Sequence, residues 1–240
     1  MPWRSDTSPY SIFVSEIMLQ QTQVSRVLRK YVDFLERFPS FRSLSDAKLA
    51  HVLLLWQGMG YNRRAKFLHE SARIICTTYQ GFLPQEPHIL ETLPGIGPAT
   101  AGSISCFAFD TPTIFIETNI RRCVLHNFFP RGHKVPDAKV REILSQCMMV
   151  IKREKVLSPR QWYWALMDYG SYLKVTIANP NKRSKHYVKQ SKFEGSDRQI
   201  RGRLLREYLQ GCGVQLATAR EHRIWKGLVK EGLVNSNDHT

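Results

Sequence analysis

Two acids stand in apolar surroundings where a carboxylate can do chemistry. Glu16 is the lone acid in Val14-Ser15-Glu16-Ile17-Met18-Leu19, and Glu117 directly follows Ile114-Phe115-Ile116. Burial at Glu117 would raise its pKa, or hold its charge against a developing cation. Thr118 and Asn119 are good caps for a following helix, and Glu117 can equally be an acid beside that helix's N-terminus. Downstream of Glu16 come Gln20, Gln21 and Gln23. Amides both donate and accept, which suits contact with base edges and equally suits a solvated helix face. In Trp56-Gln57-Gly58-Met59-Gly60-Tyr61-Asn62-Arg63-Arg64-Ala65 a glycine-flanked loop presents an aromatic and two arginines at a helix start. That grouping fits stacking on a base and gripping phosphate. Leu93-Pro94-Gly95-Ile96-Gly97-Pro98 stops one helix and starts another at once. The free amides and positive dipole end of the second helix form a phosphate cradle that needs no side chain; the same turn also serves as an ordinary helix–helix connection.

The elements that must position these groups are nearly all helical. Apolar residues recur at helical spacing over Ser11–Tyr31, and Ser45 reads as the N-cap of a helix that stops at Gly58. Further helices are expected over Arg63–Tyr79, Glu86–Thr92, Pro98–Phe109, Thr118–Phe128, Asp137–Lys152 and Pro159–Tyr172. Strand-like alternation is confined to Thr113–Ile116, so the expected class is all-α, without an internal repeat. Residues 179–195 are polar and basic and read as a loop or extended arm. From Asp197 two helical patterns flank a Gly-Cys-Gly break. They read either as a small helix-turn-helix or winged module, or as a helical tail packed on the main domain.

Composition narrows the partner. The chain has 240 residues, with 35 Lys and Arg against 20 Asp and Glu, a net charge of +15. At 42% hydrophobic and 11% aromatic it can build a core, which excludes a disordered chain. No apolar run approaches the roughly 18 residues of a membrane span, and the start lacks a basic-then-apolar leader pattern. The five cysteines are odd in number and include no C-x-x-C pair, which points to a reducing cytosol rather than a disulfide framework. The positive balance points to a polyanion, nucleic acid first. An acidic membrane surface is the rival, but no basic amphipathic helix with a clean Trp/Phe/Leu face supports it.

PWR at residues 2–4, SEIMLQQTQV at 15–24, LWQGMGYNRRAKFL at 55–68, LPGIGPATAG at 93–102 and MDYG at 167–170 occur in the order seen in one family. The chain resembles the helix-hairpin-helix DNA glycosylases over about residues 2–172, most of all their A/G-specific adenine glycosylase branch, with endonuclease III as a cousin. The resemblance implies a two-lobed all-α fold with DNA in the cleft, and excision of a flipped base. It implies that Glu16 protonates the departing adenine and that Gln20 and Gln21 enter the duplex near the extruded base. It also implies that Tyr61, with Asn62 and Arg63 beside it, belongs to the active-site region, that Gly95 and Gly97 hold phosphate, and that Asn119 sits beside the catalytic acid.

Three positions depart from the family pattern. Glu117 stands where the family carries its catalytic Asp; it keeps the charge that would stabilise an oxocarbenium-like sugar and adds a methylene. Ala99 stands where endonuclease III-like members carry a nucleophilic Lys, so a Schiff-base lyase step is not expected. No Cys occurs between Cys147 and Cys212, where most relatives hold a [4Fe–4S] cluster, so no iron–sulfur cluster, metal or other cofactor is expected.

The expected organisation is a glycosylase domain at 1–178, a basic arm at 179–196 in place of the cluster loop, and a small helical, winged-helix-like module at 197–240. That module is smaller than, and unlike, the C-terminal domain by which many adenine glycosylases sense 8-oxoguanine, so opposite-base preference carries over only weakly. The expected activity is monofunctional removal of adenine opposite G or 8-oxoguanine in double-stranded DNA, by a monomer in the nucleoid-containing cytoplasm, with no membrane partner. Alternatives are a thymine or uracil mismatch glycosylase, kept open by Asn62 where adenine-specific relatives often have a second Tyr, and a non-catalytic binder of DNA structure. A further reading gives the tail to protein contacts.

Overall fold

The computed structural model describes residues 1–188 and 192–235. Its helices are α1 (Pro2–Ser5), α2 (Pro9–Leu19), α3 (Val24–Arg37), α4 (Phe41–Ser45), α5 (Leu49–Trp56), α6 (Arg63–Thr78), α7 (Pro87–Leu90), α8 (Pro98–Phe109), α9 (Thr118–Phe128), α10 (Asp137–Glu154), α11 (Pro159–Thr176), α12 (Asp197–Leu209) and α13 (Ala219–Lys230), with a 3₁₀ turn at Pro180–Arg183. Among the described residues there is no strand, only an isolated bridge between Val135 and Ser184. The fold is all-α, and none of the described helices is long and apolar enough to cross a membrane.

Two compact units divide the described residues. One draws on Met1–Pro84, Leu93–Gly95 and Ser191–Thr240, the other on Gln85–Thr92 and Ile96–Gln190. In the first, the core is aromatic: Phe34 packs edge-on against Phe38 and Trp56, and Phe41 against Tyr10 and Phe13. α12 and α13 belong to this unit and pack on each other, with Tyr208 edge-on to Trp225 and with Leu204, Leu205, Ile224 and Leu228 buried. Lys66 Nζ in α6 donates to the Glu231 carbonyl at the end of α13, 2.5 Å away. In the second unit Phe115 sits between Phe107 and Tyr163, and the Tyr163 hydroxyl donates to the Thr113 carbonyl at 2.9 Å.

Several expected boundaries hold and three do not. α8 starts at Pro98 as the proline signal requires, and α8 and α9 span Pro98–Phe109 and Thr118–Phe128 as expected. The single helix expected over Ser11–Tyr31 is two, because Gln21 takes a left-handed φ of 52° and breaks the chain between α2 and α3. Ser45 ends α4 instead of capping the next helix; Ser40 caps α4 in a reciprocal pair with Ser43. The arm expected as a loop from Asn179 begins with the 3₁₀ turn, and Arg183 Nη1 donates to the Leu125 and Phe129 carbonyls near the end of α9. Its residues 189–191 lie outside the described residues.

Gly170 of the MDYG segment is explained by packing. A Cβ there would stand 2.3 Å from the Asn119 carbonyl oxygen and 2.7 Å from its carbon, so α11 rests directly on the first turn of α9. Gly202, inside α12, has open space where a Cβ would point. Gly170→Ala is therefore expected to destabilise the protein by about 2 kcal/mol or more through overpacking, and Gly202→Ala to stabilise it by roughly 0.5–1 kcal/mol through helix propensity. Urea unfolding of the two variants checks both signs.

Candidate active site

In the first unit Glu16 rides on a helix that is buried almost all round. Tyr10 to Ser15, Ile17 and Met18 are buried, leaving Glu16 and Leu19 as the partly exposed members of that stretch. Ser8 and the following Pro9 start α2: the Ser8 hydroxyl accepts from the Ser11 amide at 3.4 Å. The other end is held by Arg64. Its Nη1 donates to the Ile17 and Met18 carbonyls, both at 2.9 Å. Its Nη2 donates to the Thr22 hydroxyl at 2.8 Å and to the Met59 and Gly60 carbonyls at 3.3 and 3.1 Å. The guanidinium lies 5.2 Å from the Trp56 ring centre and 5.5 Å from that of Tyr61. Burial pushes the Arg64 pKa down to about 10, which still leaves a cation at neutral pH, facing the negative end of α2.

This corrects one expectation. Of the two arginines read as phosphate grips, Arg64 is buried and its fork is taken by backbone carbonyls, while Arg63 is exposed. The oxygens it satisfies belong to separate segments, so nothing local in the sequence marks it.

The loops that Arg64 ties down carry the other candidates. Gln20, Gln21, Tyr61, Asn62 and Arg63 line one cavity of about 300 Å³ with Arg64, Phe67 and Arg201. Gln21 and Tyr61 both hold left-handed φ values, 52° and 48°, and both are exposed. Gln20 and Gln21 stand in the break after α2, not on a helix, and the Gln20 amide donates to the Gly95 carbonyl at 3.3 Å. Gly95 needs glycine twice over: φ is 75°, and a Cβ would meet the Phe67 ring at 2.7 Å. Gly97 caps α8 with extended backbone, and a Cβ there would meet nothing within 4 Å. Its surroundings are open, and the first-turn amides of α8 have no intrahelical acceptor.

In the second unit Glu117 is itself the N-cap of α9, a role the sequence assigned to Thr118 and Asn119. One carboxylate oxygen, Oε1, accepts from the Asn119 amide at 2.7 Å and the Ile120 amide at 2.9 Å. The other oxygen accepts no hydrogen bond from any described residue, and the side chain keeps some exposure to solvent. Behind it lies a buried arginine. Arg122 Nη1 donates to Asn119 Oδ1 and to the Gly170 carbonyl, each at 2.5 Å, so Asn119 is fixed by the same cation that pins α11. The Glu117 carboxyl is raised above its ordinary value: burial outweighs the two amides and the charges of Arg122 and Arg121, which pull it down.

Each unit thus holds an acid near a helix end: Glu16 in the last turn of α2, where Arg64 takes the Ile17 and Met18 carbonyls, and Glu117 at the start of α9. An acid in such a place can act as a proton donor or as an anionic stabiliser. The cysteines do not fit a four-thiolate cluster. Cys106 and Cys123 are buried, with the Cys123 thiol donating to the Leu166 carbonyl, and among the described residues no group of three or more His, Cys, Asp or Glu side chains is placed to hold a metal ion.

Known proteins share both the sequence pattern and the fold. Residues 14–156 match the model of the HhH-GPD superfamily base excision DNA repair proteins. The adenine DNA glycosylase of Mycobacterium tuberculosis is 32% identical over 228 residues, covering 85% of this chain and 72% of the relative. That of Mycolicibacterium smegmatis is 32% identical over 242 residues, covering 94% of this chain and 80% of the relative. Among solved structures, a thermostable thymine-DNA glycosylase superposes with a TM-score of 0.60 at 22% identity, covering 76% of this chain and 83% of that one. A non-covalent endonuclease III–DNA complex gives 0.53 at 18% identity, covering 69% and 73%. At these identities the two structures speak for the fold.

Two outcomes follow from the arginine and the acid. Arg64→Leu strips partners from oxygens of several segments and is expected to cost about 3 kcal/mol or more in urea unfolding, with Arg64→Lys recovering only part because it lacks the fork. Because the folded pKa of Glu117 lies above 4.5, the folded state binds more protons than the unfolded one in the window that starts at pH 4.5 and runs up through the folded value. Glu117 therefore withdraws stability as pH rises through that window. Glu117→Gln removes the effect, so its stability relative to wild type should improve from pH 4.5 through that window and level off above it.

Proposed function

From the premise that this chain belongs to the HhH-GPD superfamily of base excision DNA repair proteins, we propose that it is a DNA glycosylase that removes mispaired adenine by hydrolysing the N-glycosidic bond. The observation that carries the reading is the likeness to adenine DNA glycosylases, which runs through most of the chain. The geometry of Glu117 supports a mechanism for it.

Glu16 donates a proton to a ring nitrogen of the extruded adenine and turns the base into a neutral leaving group. The C1′–N bond breaks and its electron pair leaves with the base. The sugar that remains is an oxocarbenium-like cation, and the carboxylate of Glu117 opposes that charge with the oxygen that the amides of α9 leave free. Water adds at C1′ and gives its proton to Glu16 or Glu117, which yields free adenine and an abasic site. With Ala99 in the place of a lysine nucleophile, the reaction stops at hydrolysis. Asn119, fixed by Arg122, steadies the start of α9 against Glu117.

Double-stranded DNA is the partner that the net charge of +15 suits, through release of counterions from phosphates. The open α8 N-terminus at Gly97 grips the backbone without reading sequence. Gln20, Gln21, Tyr61 and Asn62 meet the bases, and Arg63 a phosphate. The base opposite the adenine is G or 8-oxoguanine.

Single-turnover assays on duplexes with A opposite 8-oxoguanine, A opposite G, and T or U opposite G test the reading, with abasic products cleaved by alkali. Adenine release is expected, falling by roughly 100-fold or more in Glu16→Gln and in Glu117→Gln. The wild-type rate should climb with pH through the raised Glu117 pKa, since the ionised form is the active one, and Glu117→Gln should lack that limb. Release of T or U alone would overturn the substrate. No release from any duplex would overturn the activity.

A further inference from the structure

We infer that α12 is part of the nucleic-acid surface: Arg198 and Arg201, with Arg63, form a phosphate grip beside the cavity lined by Gln20, Gln21, Tyr61 and Asn62, which takes one nucleotide of a DNA strand. The inference rests on the reading of DNA as the partner and goes beyond it, since α12 lies outside the span of the family match.

Among the described residues, Arg201 is the one that α12 contributes to the cavity lining. Its fork clasps the Glu231 carboxylate, with Nη1 at 3.1 Å from Oε1 and Nη2 bonded to Oε2. The same carboxylate lies 3.7 Å from Arg63 Nε. Glu231 therefore sets two guanidinium groups side by side at the cavity while neutralising only one of the two charges. One turn earlier on α12, Arg198 Nη1 donates to the Tyr61 hydroxyl at 3.1 Å. That bond braces an aromatic ring held in a left-handed loop. Arg63, Arg64 and Arg201 thus line a cavity beside which Glu231 supplies one negative charge, and Arg198 reaches it through the Tyr61 hydroxyl.

The lining chemistry selects the ligand. Tyr61 and Phe67 offer ring faces, Gln20, Gln21 and Asn62 offer amides that read base edges, and Arg63 offers a planar fork that matches a phosphodiester, with the excess positive charge of Arg198 and Arg201 beside it. A cavity of about 300 Å³ has room for a base and not for a folded peptide element. Because Glu231 and Tyr61 already hold the arginines in place, little side-chain ordering remains to be done on binding.

The test is the salt dependence of duplex binding by the full chain, measured by fluorescence anisotropy on a duplex with A opposite 8-oxoguanine and on a fully paired duplex. Arg198→Gln/Arg201→Gln should weaken both on the order of tenfold and flatten the slope of log K against log salt by about 1 to 2, since each phosphate left without its arginine removes about 0.9 from the slope. The charge-matched control Arg37→Gln/Arg42→Gln alters exposed residues of α3 and α4 that do not line the cavity, and its slope should move less. Urea unfolding establishes that each variant is folded. If the double variant is less stable than wild type, Arg198→Gln alone carries the test, and a slope change of about 0.9 is expected. An unchanged slope in a folded variant, or an equal change in the control, would overturn the inference. Excision is read separately: wild type that binds but releases no base would refute the activity and leave this result standing.

Discussion

The first unit hangs on one buried cation. α2 ends at Leu19, and the carbonyls of its last turn have no helical partner left. Arg64 reaches two of them and, with the same planar head, holds Thr22 and the Gly58–Tyr61 loop. Burying a guanidinium is costly unless its donors are satisfied, and here both terminal nitrogens are met, among others by the two α2 carbonyls that lack a helical partner, while Nε is left without one. The exchange ties the end of α2, Thr22 and the Gly58–Tyr61 loop to one head group, on either side of the break that carries Gln20 and Gln21. Left-handed φ values at Gln21 and Tyr61 are the strain that this clamp sustains.

The second unit repeats the device with different parts. Arg122 is buried beneath the start of α9 and joins Asn119 to the Gly170 carbonyl, so the first turn of α9 and the middle of α11 are locked together. Gly170 is the condition for that approach, since any side chain would strike the Asn119 backbone. Glu117 caps the helix so fixed. In both units, then, a candidate acid stands at a helix end that a buried arginine fixes, which holds it more rigidly than a loop could. The C-terminal helices extend the first unit by the Lys66 and Arg201 contacts to Glu231.

What the sequence revealed followed the locality of the signals. Pro98, Pro159 and the Asp137 turn start helices by chemistry confined to a few residues, and α8 to α11 appear where the spacing places them. The two acids were visible because a charge among apolar residues is conspicuous in any sequence. The break at Gln21 was not: apolar spacing runs straight through it, and the arginine that ties the residues on either side of it, Arg64, lies far along the chain at the start of α6. Arg64 itself read as a surface cation, since burial of an arginine depends on carbonyls that only folding assembles. Glu117 as its own helix cap required knowing that the side chain turns back on its amides. The partners of α12 were hidden for the same reason, because Glu231 and Arg63 meet through a contact that no spacing encodes.

At the start of α9 the proposed mechanism gives one carboxylate two jobs. Oε1 of Glu117 terminates the helix, and in the proposed reaction Oε2 opposes the sugar cation, a division that depends on the length of a glutamate. Shortening the side chain by one methylene keeps the charge and the capping ability but draws the free oxygen back by roughly 1 Å. Displacement on that scale can lower a rate on the order of 100-fold. The most direct test is the single-turnover rate of adenine release by Glu117→Asp, measured beside wild type at saturating enzyme. A stable protein that cuts roughly 10 to 100 times more slowly is expected. An aspartate variant as fast as wild type would contradict the double role, and would mean that the scaffold accepts either acid and that the reach of Glu117 does not matter.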